Sequence, residues 1–175
     1  ENAFLIEDAK KISSFDKLIL PGVGSFKNAM EFLQAKDMIE PIKNFIKSGK
    51  YALGICLGMQ ILFNASEEGQ GVSGLGLIDG EIKRFSHEFK TPHMGWSKTK
   101  TQEDAFFGQI KNPYLYFVHS YFCPITPYTI AKSSHGVEFS AVIKRDNLYG
   151  IQPHPEKSHE QGLQMLKNFA QLGTL

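Results

Sequence analysis

Cysteine is scarce in this chain: only Cys56 and Cys123 occur, in dissimilar surroundings. That excludes a disulfide framework and suits a reducing compartment. Neither cysteine has a second ligand at zinc-like spacing, so a zinc site is excluded too, and neither metal nor cofactor is expected. Unbalanced charge is also missing. The formal net charge is +1 and no run of five or more like charges occurs, so nothing tracks a phosphate backbone or an anionic membrane, and nucleic acid is not an expected partner. No apolar run approaches the roughly 18–20 residues that span a bilayer, and no basic stretch followed by an apolar one opens the chain. A cytoplasmic protein without membrane contact is expected. Repeats, low-complexity tracts and linkers are absent as well, and 175 residues at 42% hydrophobic content suffice for one compact domain over 1–175. Glu1 stands where an initiator Met would, directly ahead of strand-like Ala3 to Ile6, so residues upstream of Glu1 are expected.

What is present is an α/β pattern. Phe15–Leu20 and Tyr51–Ile55 are short apolar runs stopped by Pro-Gly and Cys-Leu-Gly, as buried parallel strands are. Between them Ala29, Met30, Phe32 and Leu33, then Ile39, Ile42, Phe45 and Ile46, recur every three or four residues. That spacing predicts two amphipathic helices, or one broken at Pro41. A right-handed βαβ unit and a mostly parallel central sheet with helices on both faces follow. Further on, Ile78–Ile82, Tyr114–His119, Phe139–Lys144 and Leu148–Gln152 are strand-like, with Asp146-Asn147 turning a hairpin. Leu163, Leu166, Phe169 and Ala170 share one face of a closing helix from His159 to Leu172.

Gly54-Ile55-Cys56-Leu57-Gly58 has the form of a nucleophile elbow with sulfur in place of the serine oxygen, between a strand and a helical run from Met59 to Phe63. The glycines allow a sharp turn that lifts the thiol onto a helix N-terminus, where dipole and a nearby imidazolium would favour the thiolate. The competing reading is a structural cysteine closing a strand. Gln152-Pro153-His154-Pro155-Glu156 supplies an imidazole and a carboxylate at i and i+2, on one face of a segment that the prolines keep extended. Glu156 can orient His154, which takes the Cys56 proton and later returns it to a leaving group. Pro21-Gly22-Val23-Gly24-Ser25 follows a strand and precedes a helix, so the Val23-Gly24 peptide and the Leu57 N–H are candidates for an oxyanion hole. Gly69-Gln-Gly71-Val-Ser-Gly74 matches a dinucleotide fingerprint letter for letter, but it is expected to follow a helix and so lacks the strand-to-helix context. Cys123, between Phe122 and Pro124, reads as a packed thiol.

Pro-Gly-Val-Gly, Gly-Ile-Cys-Leu-Gly-Met-Gln and His-Pro-Glu-Lys-Ser, in that order, resemble the class I (triad) glutamine amidotransferases, which have a flavodoxin-like fold. Pro92-His93-Met94-Gly95-Trp96, Tyr116-Phe-Val-His119-Ser120-Tyr121 and Ser66-Glu67-Glu68-Gly69 narrow the likeness to the glutaminase subunits of imidazole glycerol phosphate synthase, over nearly the whole chain. The resemblance implies that Cys56, His154 and Glu156 form the triad that hydrolyses glutamine to glutamate and ammonia, with Val23, Gly24 and Leu57 on the oxyanion. It implies that Gly22, Gln60 and Glu68, with the Ser120 and Tyr121 backbone, hold the glutamine. Trp96, Tyr116 and Lys157 would face a (β/α)₈ barrel synthase that receives the ammonia for histidine biosynthesis.

The chain departs from that pattern in three places. Pro153 stands where the family has an aromatic residue and Ser97 where it has Asn, and the family's first strand and helix would precede Glu1. Three alternatives stay open. The first is a paralogue supplying ammonia for amination of a surface-polysaccharide sugar, the second a non-catalytic pseudo-glutaminase that only binds its synthase, and the third a Cys-elbow peptidase relative.

Overall fold

The computed structural model describes residues 2–173. Residues 2–8 form no strand, and Phe4 and Leu5 are largely exposed, so the strand expected at Ala3–Ile6 is not formed. Strand β1 (Lys17–Leu20) leads into helix α1 (Phe26–Ala35), capped by the Ser25 hydroxyl accepting from the Asn28 N–H. Asp37, at φ +52°, ends that helix, and α2 (Ile39–Lys47) begins afresh. There are therefore two helices, and the break is not at Pro41, which sits in the first turn of α2 where an N–H has no partner to lose. Strand β2 (Tyr51–Ile55) pairs in parallel with β1 and completes the βαβ unit.

After β2 the helix begins and ends earlier than Met59–Phe63 suggests. Helix α3 is only Leu57–Gln60, and Phe63–Ser66 is strand β3, parallel to β4 (Ile78–Arg84). An apolar run this short fits helix and strand alike, and packing decides. The glycine-rich segment Gly69–Gly74 follows the short 3₁₀ helix Glu67–Gly69 and leads into a strand, so the strand-to-helix context of a dinucleotide site is missing. Its glycines serve packing, since a Cβ on Gly69 would stand 2.6 Å from the Phe26 ring and one on Gly74 2.1 Å from the Phe63 carbonyl oxygen.

The remaining strands are β5 (His93–Lys98), β6 (Lys100–Thr101), β7 (Tyr114–His119), β8 (Tyr121–Phe122), β9 (Thr129–His135), β10 (Val137–Arg145) and β11 (Leu148–Ile151), before helix α4 (His159–Gln171). The largest sheet has the order β1-β2-β11-β10-β9-β6. Its parallel part, β1-β2-β11, carries the elbow, and β11, β10, β9 and β6 extend it by antiparallel pairings. The β10–β11 hairpin turns at Asp146, φ +53°, as its sequence predicts. Alternation along the strands separates two cores. Leu18, Leu20, Ala52 and Leu148 pack under α1 and α2, whereas Leu53, Tyr149 and Ile151 pack under Met165 and Phe169 of α4 with Phe106, Phe107 and Phe117. Helices thus lie on both faces, and each fully buried side chain of this size contributes roughly 1.5–3 kcal/mol.

Candidate active site

Cys56 directly follows β2 and precedes α3 with φ +53° and ψ −110°, a conformation L-residues rarely adopt. It is held there from both sides. Its N–H donates to the Ile151 carbonyl (2.8 Å), and its own carbonyl accepts from Met59 and Gln60 as α3 begins. The flanking glycines are required: a Cβ on Gly54 would lie 2.5 Å from the Gly58 oxygen and one on Gly58 1.7 Å from the Leu20 oxygen. Strain of this kind is retained where a fold over-determines it, and here it turns the thiol toward the β11 side of the sheet end.

His154 sits just past β11 in extended backbone (φ −95°, ψ 98°), its N–H donating to the Tyr116 carbonyl at 2.9 Å. Beyond it the chain does not stay extended: Pro155–Lys157 is a 3₁₀ turn, which the fixed φ of Pro155 starts. The turn brings Glu156 back to His154, with Oε1 2.7 Å from Nδ1. A carboxylate there accepts from Nδ1–H, which leaves Nε2 as the basic nitrogen. His154 is buried, and Glu156 is half-exposed.

The side chain that hydrogen-bonds the sulfur is Gln152, whose Nε2 donates to Sγ at 3.6 Å. The motif pointed to His154 and Glu156 and not to Gln152, although i, i+2 alternation places Gln152 and His154 on one face. Gln152 is fully buried, and its Oε1 accepts from Gln60 Nε2 at 2.9 Å. The same Gln60 nitrogen donates to the Tyr121 carbonyl at 3.0 Å. Both amide hydrogens of Gln60 are thereby committed, so what it offers a ligand is its oxygen, an acceptor suited to an ammonium group.

Burial pushes the Cys56 thiol up to about 11; the Leu57 N–H pulls down, the Glu156 carboxylate pushes up, Gln152 pulls down, and Glu68 pushes up. This reverses the expected thiolate. A four-residue α3 has little dipole, and desolvation of the charged form outweighs it. Cys123 is likewise buried, its thiol raised to about 12, and its Sγ–H donates to the Pro124 carbonyl at 3.2 Å, as a packed thiol should.

The expected oxyanion loop lies against the elbow: a Cβ on Gly22 would be 2.8 Å from Leu57 Cβ and 3.0 Å from the Gly58 nitrogen. Gly24 has φ +104° with open space around it, and the Val23 side chain is exposed. Glu68 joins the same region, accepting from the Phe26 N–H at 2.8 Å at the start of α1. Ser120 and Tyr121 are nearby, but their carbonyls already serve the protein, Ser120 accepting from the Phe85 N–H at 3.1 Å. Trp96 and Tyr116 pair across β5 and β7 with rings 5.8 Å apart, and Trp96 stacks on His159 at 4.7 Å. Lys157 is exposed in the turn beside the His154–Glu156 pair. Among the described residues there is no cluster of His, Cys, Asp and Glu that could hold a metal, and no helix long and apolar enough to cross a membrane.

A buried, strained cysteine with an oriented imidazole at the same sheet edge suits acyl transfer through a thioester. The sequence model of the family described as "Glutamine amidotransferase class-I" matches residues 3–172. The chain is 49% identical over 176 residues to the imidazole glycerol phosphate synthase subunit HisH of Sulfurimonas denitrificans, covering 96% of this chain and 85% of that one. To the subunit of the same name from Methanocaldococcus jannaschii it is 42% identical over 175 residues, covering 98% and 88%. Among solved structures it is similar in fold to one described as a glutamine amidotransferase, with TM-score 0.72, 12% identity, and coverage of 94% and 85%. It is also similar in fold to a chain of PurLQS from Thermotoga maritima, with TM-score 0.66, 18% identity, and coverage of 89% and 79%.

Proposed function

The chain belongs to the glutamine amidotransferase class-I family, and on that premise we propose that it is one domain, residues 1–175, that hydrolyses glutamine at Cys56 as the glutaminase subunit of an imidazole glycerol phosphate synthase. The observation that carries the reading is the 2.7 Å contact of His154 Nδ1 with Glu156 at the same sheet edge as the strained Cys56. His154 Nε2 takes the thiol proton as sulfur attacks the carboxamide carbon of glutamine. The oxygen that becomes negative is met by the Leu57 N–H and the Val23-Gly24 peptide. The tetrahedral adduct collapses to a thioester, and the imidazolium returns its proton to the departing nitrogen, which leaves as ammonia. Water, deprotonated by His154, then attacks the thioester, releasing glutamate and restoring the thiol.

Gly22, Gln60 and Glu68, with the backbone at Ser120 and Tyr121, hold the amino-acid head. The Gln60 oxygen and the Glu68 carboxylate suit its ammonium group. Trp96, Tyr116 and Lys157 make the surface that meets a (β/α)₈ barrel synthase, into which ammonia passes without entering bulk water, where protonation would remove its nucleophilic lone pair. The names of the relatives support histidine biosynthesis as the destination, and the cytoplasm is the proposed compartment. The test is glutamate release from glutamine by the chain together with its copurifying synthase subunit. Failure of Cys56 to form an adduct with a diazoketone analogue of glutamine, with the partner present, would instead assign a pseudo-glutaminase.

A further inference from the structure

A second set of buried polar groups lies outside the triad. His93 on β5 and His119 on β7 are cross-strand partners, and His93 Nδ1 is 3.1 Å from His119 Nε2. His119 Nδ1 is 2.8 Å from the Tyr121 carbonyl, and His93 Nε2 is 2.9 Å from the Ser97 hydroxyl. Gly95, at φ +131°, kinks β5 between His93 and Ser97, so two side chains four residues apart on a strand can meet. Both rings are buried, packed by Phe85, Phe117 and Phe139, and His135 stacks on His93 at 4.4 Å.

The direction of every hydrogen bond in this set is determined. A carbonyl only accepts, so His119 carries its proton on Nδ1. Burial holds His119 at about 3 and His93 at about 4, so both rings are neutral near pH 7. A neutral His119 then accepts at Nε2, which requires His93 to donate from Nδ1. His93 in turn accepts at Nε2, and the Ser97 hydroxyl is the donor. Both rings are held as the Nδ1–H tautomer. The Tyr121 carbonyl that ends this series also accepts from Gln60, which donates to Gln152, which donates to the Cys56 sulfur.

We propose that Ser97, His93 and His119 are positioning residues for the glutamine site, forming a directed hydrogen-bond chain that starts on β5, fixes the Tyr121 carbonyl and sets the orientation of the Gln60 amide. The inference rests on the glutaminase reading, because it takes the Gln60 oxygen as an acceptor for the substrate's ammonium group. If the Tyr121 carbonyl shifts, Gln60 loses one of the two acceptors that distinguish its nitrogen from its oxygen. A flipped amide would present N–H groups to the ammonium. The chain therefore acts on binding of the amino-acid head more than on the thiol, and this sets the kinetic signature.

Two measurements test it. Histidine ¹⁵N spectra of the full chain near neutral pH, which need no activity, should show His93 and His119 neutral with the proton on Nδ1, the minor tautomer in water; a proton on Nε2 of His119 overturns the chain. Glutamine turnover is then measured with the copurified synthase. His119→Leu should raise KM for glutamine about tenfold, the weight of one buried hydrogen bond, with kcat little changed. His119→Asn, which keeps a donor at the Nδ1 position, should restore most of the loss. Ser97→Ala, at a partly exposed position, covers the case in which His119→Leu does not fold: it should leave His93 on the Nδ1–H tautomer, shift the ¹⁵N resonance of its Nε2, which loses its donor, and raise KM severalfold. Unchanged KM in the variants, a fall confined to kcat, or an Asn variant no better than Leu would each overturn the proposal. A parent that forms no glutamate and no Cys56 adduct would refute the glutaminase reading instead, while the tautomer result would stand.

Discussion

Gln152 donates its side-chain amide to the Cys56 sulfur across the end of the central sheet, 3.6 Å from nitrogen to sulfur. The proposed nucleophile thus rests as a buried thiol with a protein donor beside it, raised to about 11, and not as a preformed thiolate. At pH 7 such a group is about one part in ten thousand ionised. Alkylation of the free chain by iodoacetamide should accordingly rise about tenfold per pH unit from pH 7 upward, with no plateau below about pH 10. Mass spectrometry of the Cys56 peptide measures this. A plateau near neutrality would mean that the thiolate is stabilised in the free chain after all.

The triad assignment predicts unequal effects from its members. Cys56→Ala should abolish glutamate release, because no other group in the site forms the thioester. Glu156→Gln should lose about a hundredfold or more yet keep a measurable rate, since the carboxylate orients His154 and does not react. Steady-state kinetics with the partner present decides. A Glu156→Gln variant as fast as the parent would remove the carboxylate from the mechanism.

The two buried histidines also predict how the fold responds to acid. Their folded values, about 4 for His93 and about 3 for His119, lie below the ordinary 6.5. Below about pH 6.5 the unfolded chain therefore binds protons that the folded chain refuses, and stability falls as pH falls toward those values. Each histidine contributes about 1.4 kcal/mol per pH unit across that window. Urea unfolding between pH 7 and 5 should show the decline, and His93→Gln and His119→Asn should each remove about one proton from the slope. Slopes identical to the parent's would mean that both rings titrate normally in the folded chain.

What the sequence disclosed divides by how local the cause is. The elbow at Gly54–Gly58 was legible because the sharp turn at a φ +53° cysteine and the clash that forbids a Cβ on Gly54 arise within five residues, although the need for Gly58 comes from the Leu20 carbonyl of β1. The His154–Glu156 contact was legible for the same reason, even though a 3₁₀ turn rather than an extended segment makes it. The parallel strands were readable as apolar runs, whereas the division of Met59–Phe63 between a helix end and β3 was not, because Phe63 is committed by its pairing with Ile78. The thiol's ionisation depends on how completely the surrounding elements exclude water from Cys56, and the spacing of glycines around it carries no such information. His93 meets His119 only through the β5–β7 register, across 26 residues of chain, so neither histidine carries a local sign of its tautomer.

The synthase partner should switch on glutamine turnover through the oxyanion loop. Gly24 has φ +104° and open space around it, so the Val23-Gly24 peptide can turn its N–H toward the site or away at small cost. A partner that binds only the productive turn shifts that population by its differential affinity, and activation is then a coupling free energy with no new chemistry. One oxyanion donor is worth roughly a hundred- to a thousandfold in rate, which sets the size of activation available by this route. The surface beside the site is suited to receive the signal. Trp96 is half-exposed yet held against His159 and Tyr116, and Lys157 ends the turn that carries Glu156. Glutamine turnover by the free chain should therefore be low and rise by about that factor with the copurifying synthase. A Trp96→Ala, Lys157→Ala double variant should keep the low basal rate and lose most of the rise. A free chain already at full rate would refute the switch. Undiminished activation in the double variant would place the partner's contact elsewhere.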